Sequence, residues 1–244
     1  MAESFKPFQT VPQYRLPFNS NPEKDINILL FGETGVGKST FINTFVHYLS
    51  YNTLDEALRG KMQILIPSSF SVSDSDTHRS TTITVGSPDD NELCEDNGKS
   101  QTQGCKSYVF SIGNRYLHLI DTLGIGDCRG VEQDNKNFDH ILAFVSRYEH
   151  LNTICIMLKP NEHRLNIFIK YDIKELLKHL HINAKDNVMF IFTNARTNFY
   201  MPGGTSKQLK ILLNELEATT RNHVPFIKEN TFLFDNESFR FFDY

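Results

Sequence analysis

Residues Gly32 to Thr40 read Gly-Glu-Thr-Gly-Val-Gly-Lys-Ser-Thr, GETGVGKST in one-letter code, and this stretch decides the fold. Gly32, Gly37, Lys38 and Ser39 hold the fixed positions of the pattern G-x-x-x-x-G-K-S/T. Upstream, Asp25-Ile26-Asn27-Ile28-Leu29-Leu30-Phe31 has the apolar density of a buried strand. Downstream, Phe41, Ile42, Phe45, Val46 and Leu49 recur at helical spacing. A strand that runs through a glycine loop into a helix lets backbone N–H groups and a helix N-terminus converge on a phosphate. In that frame Gly32, Glu33, Thr34, Gly35, Val36, Gly37, Lys38, Ser39 and Thr40 form a cradle for a nucleoside polyphosphate. Lys38 carries the point charge toward the β- and γ-phosphates, and the Ser39 hydroxyl is a ligand for Mg2+. The plainer alternative, a glycine-rich turn capped by Ser39 or Thr40, does not account for the strand and helix on either side.

The whole chain sets outer bounds. Its 244 residues suit one α/β domain with an insertion better than two domains. An apolar fraction of 39% with 20 Phe is enough for a core without Trp. A net charge of −4 leaves no basic footprint for nucleic acid. No apolar run approaches the roughly 20 residues that span a bilayer, and the N-terminus lacks a signal-peptide core. No integral membrane segment and a cytoplasmic location are therefore expected. Cys94, Cys105, Cys128 and Cys155 are scattered, with no C-x-x-C pair, as in a reduced chain.

Residues 1–24 carry Pro7, Pro12, Pro17 and Pro22, which rule out a regular helix and suggest an arm. Residues 25–244 read as the domain proper, with an insertion over about 52–99. In the insertion, Met62 to Pro67 and Thr81 to Val85 are strand-like and predict a hairpin. Ser87 to Gln103 has the composition of an exposed loop. Lys106 to Ile112, a Gly113-Asn114 turn and Tyr116 to Ile120 predict a second hairpin. Strands at Thr153–Leu158, Asn187–Phe192 and Thr231–Phe234 then alternate with helical patterns around Phe138–Tyr148, Ile169–Leu180 and Leu209–Leu216. That order predicts a three-layer α/β/α domain on a mostly parallel sheet, with one antiparallel edge hairpin. The chain stops about ten residues after the last strand, too few for the helix that would normally cover such a sheet there. A longer parent protein is one reading.

Asp121 closes the strand Tyr116 to Ile120 in the run Asp121-Thr122-Leu123-Gly124. An Asp at a strand end can hold a Mg2+-bound water, and the Gly124 N–H can approach a γ-phosphate. GETGVGKST followed by an edge hairpin ending in DTLG resembles a P-loop GTPase of the Ras-like (TRAFAC) superfamily, whose G domain carries DTPG or DTAG here. The resemblance implies a switch Thr just before the hairpin. Thr81, Thr82 and Thr84 lie inside the inserted strand pattern, whereas Thr102 lies 19 residues before Asp121, room for one hairpin. Ser100-Gln101-Thr102-Gln103-Gly104-Cys105 is also similar to the S-x-T-x-x-C stretch of the immunity-associated GTPases, the GIMAP family. Thr102 is therefore the expected switch residue, meeting Mg2+ and the γ-phosphate.

The superfamily's base-reading pattern is N/T-K-x-D. This chain has Thr193-Asn194-Ala195-Arg196, and a guanidinium offers no acceptor to guanine. Thr-Asn-Ala followed by Met201-Pro202-Gly203-Gly204 is similar to the chloroplast import GTPases, the Toc family, relatives of GIMAP proteins and septins. Asn236 in Phe234-Asp235-Asn236-Glu237-Ser238 matches the stretch with which those relatives approach the base. Thr193, Asn194 and Asn236 are thus the implied base-side contacts, with GTP or GDP as the nucleotide.

Ile125 stands where Ras-like enzymes often have a water-orienting Gln. Lys38, Thr102 and Gly124 remain as the groups that act on the γ-phosphate. Arg79 and Arg129 are candidate charge-stabilisers whose plainer reading is a solvated surface charge. Two functions fit: a slow GTPase switch, or an assembly module that forms a homodimer across the nucleotide face with negligible hydrolysis. An ATP-binding P-loop ATPase is a third reading, which the hairpin order opposes.

Overall fold

The structure, a computed structural model, describes residues 24–61, 63–73, 77–87, 90–92, 102–126, 130–162, 167–179, 182–220 and 223–236. Residues 1–23 of the N-terminal arm, Ser100, Gln101, Arg129 and residues 237–244 lie outside the described residues.

Strands β1 (Asp25–Gly32), β5 (Arg115–Asp121), β6 (Thr153–Leu158), β7 (Val188–Phe192) and β8 (Thr231–Leu233) are parallel, and β4 (Lys106–Ile112) runs antiparallel to β5 at one edge. The sheet order is β4-β5-β1-β6-β7-β8. The β6 sequence Thr-Ile-Cys-Ile-Met-Leu has no polar alternation because a central parallel strand is covered on both faces. One face is packed by α3 (Val131–Val145), α4 (Ile167–His179) and α5 (Gly204–Thr220) through Phe138, Ile141, Ile173, Leu176, Leu209 and Leu216. The opposite face is covered by α1 (Lys38–Ser50) through Ile42, Phe45 and Val46. Among the described residues no helix is long and apolar enough to cross a membrane.

The insertion differs in detail from the expectation. Its hairpin pairs β2 (Ser68–Ser73) with β3 (Ser80–Val85), so the first strand starts after the apolar run instead of within it. The cause is Asn43, fully buried in α1. Its Oδ1 accepts from the N–H groups of Leu65 (3.0 Å) and Ile66 (2.9 Å), and its Nδ2 donates to the Ile66 carbonyl at 2.7 Å. One amide side chain therefore takes the backbone groups that a ladder would have used, and plants Ile66 in the core. A short helix, α2 (Leu54–Arg59), was not expected. Thr53 caps it by accepting from the Glu56 N–H at 3.2 Å.

Where α3 meets α4, Asp172 is only 2% exposed near Asp134, also 2% exposed. Its Oδ2 accepts no hydrogen bond among the described residues. Burial, and then the charges of Asp134 and Glu175, push the Asp172 carboxyl up to about 7. A folded pKa above the unfolded one means the stabilisation is full below the unfolded value of 3.8 and is lost as pH rises from there through about 7.

Two outcomes follow from this packing. Asn43→Leu leaves the Leu65 and Ile66 N–H groups unpaired, while the Ile66 carbonyl keeps the Ser68 hydroxyl, so urea melts should show a loss of about 2 kcal/mol or more, at ~1–3 kcal/mol per buried orphan. Asp172→Asn should flatten the fall in unfolding free energy between about pH 4 and pH 7; an equally steep fall in the variant would place the titration elsewhere.

Candidate nucleotide site

Parallel pairing sends the ends of β1 and β5 off the same side of the sheet, and the two loops that follow are laced together. The Thr34 N–H donates to the Ile125 carbonyl at 2.9 Å, the Ile125 N–H points to the Gly32 carbonyl at 3.4 Å, and Thr122 Oγ1 donates to the Leu30 carbonyl at 2.7 Å. Gly124 is pressed against the glycine loop so closely that a Cβ would lie 2.6 Å from Thr34 Cα. Asn137 of α3, buried, donates to the Gly124 carbonyl at 3.2 Å and fixes that loop from behind. Gly37, at φ 100, turns the chain into α1 through a conformation that a side chain would strain.

Within the loop, Gly35 is exposed at the tip, Glu33, Thr34 and Thr40 are half-buried, and Val36 is buried. Lys38 is buried, and its Nζ donates to the carbonyls of Gly32 (2.9 Å) and Glu33 (3.1 Å). Burial lowers its pKa to about 8, opposed first by the charge of Asp121 and also by Cys105, Glu33 and Glu92. Asp121, fully buried, is pushed up to about 6 by the same loss of solvent, opposed by Lys38 and by the hydrogen bond from Ser39.

Ser39 Oγ donates to Asp121 Oδ2 at 3.0 Å and lies 3.4 Å from Thr102 Oγ1. Ser39, Thr102 and Asp121 are thus brought together from the first helix, the segment before β4 and the end of β5. Thr81, Thr82 and Thr84 instead lie exposed in β3, paired with β2. Buried Asp121 Oδ1 and Thr34 Oγ1 have no hydrogen-bond partner among the described residues. An all-oxygen set with an orphaned buried carboxylate oxygen fits a hard cation such as Mg2+. Among the described residues no three His, Cys, Asp or Glu side chains gather as a metal cage, so such an ion would need ligand oxygens as well.

Sequence reasoning missed Glu92. The stretch from Ser87 to Gln103 was expected to be exposed, yet Glu92 is 7% exposed and accepts from Thr102 Oγ1 at 3.2 Å. Its only signal is its place in an acidic loop, which composition cannot tell from its neighbours.

On the base side the expected residues separate. Thr193 is buried and its hydroxyl donates to the Val36 carbonyl at 2.6 Å, so it braces the phosphate loop. Asn194 is exposed in the left-handed region at φ 52. Arg196 is exposed as well, and its backbone N–H donates to Asp235 Oδ2 at 3.0 Å. Asn236 is buried, with Nδ2 3.7 Å from where a Cβ on Gly37 would stand. Phe41 of α1 meets Phe234 edge to face, holding the exit of β8 beside the glycine loop. Beyond Arg196, Phe199 (φ 53) and Tyr200 (φ 55) are both left-handed, and Phe199, Tyr200 and Met201 are exposed. Arg79 is exposed, and His118, buried beside Ser107 and Asp25, is a satisfied core histidine.

No protein-family model matches the chain, and no curated protein matches its sequence. Solved structures do. A dimerisation-deficient mutant of Toc33 from Arabidopsis thaliana superposes with TM-score 0.52 at 13% identity, covering 87% of this chain and 71% of that one. A structure of the chloroplast translocon components atToc33 and psToc159 superposes with TM-score 0.51 at 12% identity, covering 87% and 70%. Toc33 in complex with Mg2+ and GMPPNP also matches, with TM-score 0.49 at 15% identity, too loosely to bear on this chain's ligand. The chain therefore has the G-domain fold of P-loop GTPases: a mostly parallel six-stranded sheet with one antiparallel edge and flanking helices.

The Gly124 contact generates a sharp expectation. Gly124→Ala must displace the Thr34 backbone, so triphosphate affinity measured by calorimetry should fall at least about 10-fold while far-ultraviolet circular dichroism is retained. Unchanged affinity would show that the two loops do not shape one site.

Proposed function

We propose that this chain is a guanine-nucleotide-binding protein, a slow GTPase that converts GTP to GDP and phosphate with Mg2+. The observation that carries the reading is the convergence of Lys38, Ser39, Thr102 and Asp121 on one end of a G-domain sheet. Backbone N–H groups of Glu33 to Thr40 and the Lys38 amine bind and orient the phosphates. Ser39 and Thr102 would hold the ion, with Asp121 beside them or through a water. The ion would supply charge neutralisation between phosphate oxygens. The Gly124 N–H and the Thr102 backbone are the groups in this chain that report a γ-phosphate.

For the base, Asn236 presents a donor and an acceptor beside Gly37, with Asn194 at the rim. Arg196 cannot serve as the carboxylate of N/T-K-x-D. Slow turnover follows from Ile125, whose side chain is wholly buried in the core and cannot orient a water. A homodimer across the nucleotide face would add what is missing. For atToc33 and psToc159, dimerisation is important for GTPase activity. Here the exposed Phe199, Tyr200 and Met201 stand on the base-side loop where a second copy would close.

Competition of GTP and ATP against one fluorescent nucleotide should favour GTP by at least about 10-fold, near the ~1–3 kcal/mol of one unpaired base edge. Turnover per subunit should rise with protein concentration from near the roughly 10⁻⁴ s⁻¹ of unassisted Ras-type enzymes. Equal affinity for ATP and GTP removes the guanine assignment. Fast turnover that does not depend on concentration removes the dimer.

A further inference from the structure

The Glu92 carboxylate belongs to no motif, yet the chain goes to some length to bring it inward. The backbone at Asn91 and Glu92 is pinned against Thr102 to Gly104. The Gln103 N–H donates to the Asn91 carbonyl at 2.8 Å, and Asn91 Nδ2 donates to the Gly104 carbonyl at 3.1 Å. Glu92 and Thr102 face each other as an antiparallel bridge. The pin leaves Glu92 only 7% exposed, with Oε2 3.2 Å from Thr102 Oγ1. Thr102 Oγ1 in turn lies 3.4 Å from Ser39 Oγ, which donates to Asp121 at 3.0 Å. Two carboxylates therefore flank two hydroxyls, and the Glu92 charge is felt at Lys38.

An anion beside a phosphate seat has an electrostatic consequence. A bare γ-phosphate brought against Lys38 meets Asp121 and Glu92 as like charges. A triphosphate that arrives with a divalent cation meets them as ligands or close counter-charges. We propose that Glu92 makes this site select the Mg2+-complexed nucleoside triphosphate and reject the metal-free one. The inference rests on the phosphate and metal assignments made for Lys38, Ser39, Thr102 and Asp121 above. The competing role, in which Glu92 only holds Thr102 in place, is separable by chemistry. Gln at this position keeps an oxygen acceptor for Thr102 and loses the charge.

The test measures anisotropy of fluorescently labelled GMPPNP on wild type, Glu92→Gln and Glu92→Ala, in excess Mg2+ and in EDTA. Wild type should bind in Mg2+ and lose most of its affinity in EDTA. Glu92→Gln should shrink the Mg2+/EDTA affinity ratio about 10-fold, chiefly by binding better in EDTA, the scale of one charge at ~6 Å in a half-solvated site. Should Glu92→Gln fail to fold by circular dichroism, Glu92→Ala stands in: its affinity in EDTA should rise, whereas loss of support for Thr102 alone would only lower its affinity in Mg2+. An EDTA affinity and ratio equal to those of wild type in a folded Glu92→Gln, or an EDTA affinity that does not rise in Glu92→Ala when it stands in, overturns the proposal and leaves Glu92 as a support for Thr102. Wild type that does not bind in Mg2+ overturns both this inference and the nucleotide site itself.

Discussion

The parallel pairing of β1 between β5 and β6 is the constraint on which the rest of this molecule depends. It sets the register Ile28 to Leu119, and so delivers Gly32 and Asp121 to the same end of the parallel strands within one loop of each other. From there the backbone bonds between Thr34 and Ile125 continue the pairing past the strands. A glycine loop alone could take many shapes, but one side of this loop is laced to Ile125 and the other is held by Thr193. Two spots where side chains have no room, at Gly32 against Met157 of the neighbouring strand and at Gly124 against Thr34 of the glycine loop, keep these segments that close.

Gathering an amine and carboxylates there has a cost. Lys38 and Asp121 are both buried, and the loss of solvent moves their protonation in opposite directions, each toward neutrality. Their mutual attraction recovers part of that cost, and a cation and phosphates would recover more. A site tuned in this way is less comfortable alone than when filled, which is the usual compromise between stability and activity. The fold sets secure anchors around it. Asn43 ties the helix that begins at Lys38 to the insertion, and Asn137 ties the Asp121–Gly124 loop to α3.

The strands and helices were readable because their residues repeat. The β6 run and the α1 spacing admit few alternatives, and the Lys106–Ile120 hairpin carries its own Gly-Asn turn. Local pattern misled where a single distant side chain set the outcome. Ile64 to Pro67 has strand composition, but Asn43 has already claimed its hydrogen bonds. At the site, the 19-residue spacing pointed to Thr102, because a hairpin has a fixed length, and the structure places its Oγ1 3.4 Å from Ser39 Oγ. Glu92 was invisible, because its burial depends on a backbone pin that no periodicity encodes. Thr193 was expected on the base side, and the structure places its hydroxyl on the Val36 carbonyl. A motif position says where a side chain is and not which neighbour it serves.

The hydrogen bond from Thr193 to the Val36 carbonyl joins the end of β7 to the middle of the phosphate loop. A flexible loop must give up its freedom each time it closes on a ligand, and that entropy is subtracted from affinity. A bond that holds the loop from the end of β7 would reduce the freedom left to lose. In a nucleotide-bound form, the same bond would couple the base end of the ligand to its phosphate end mechanically.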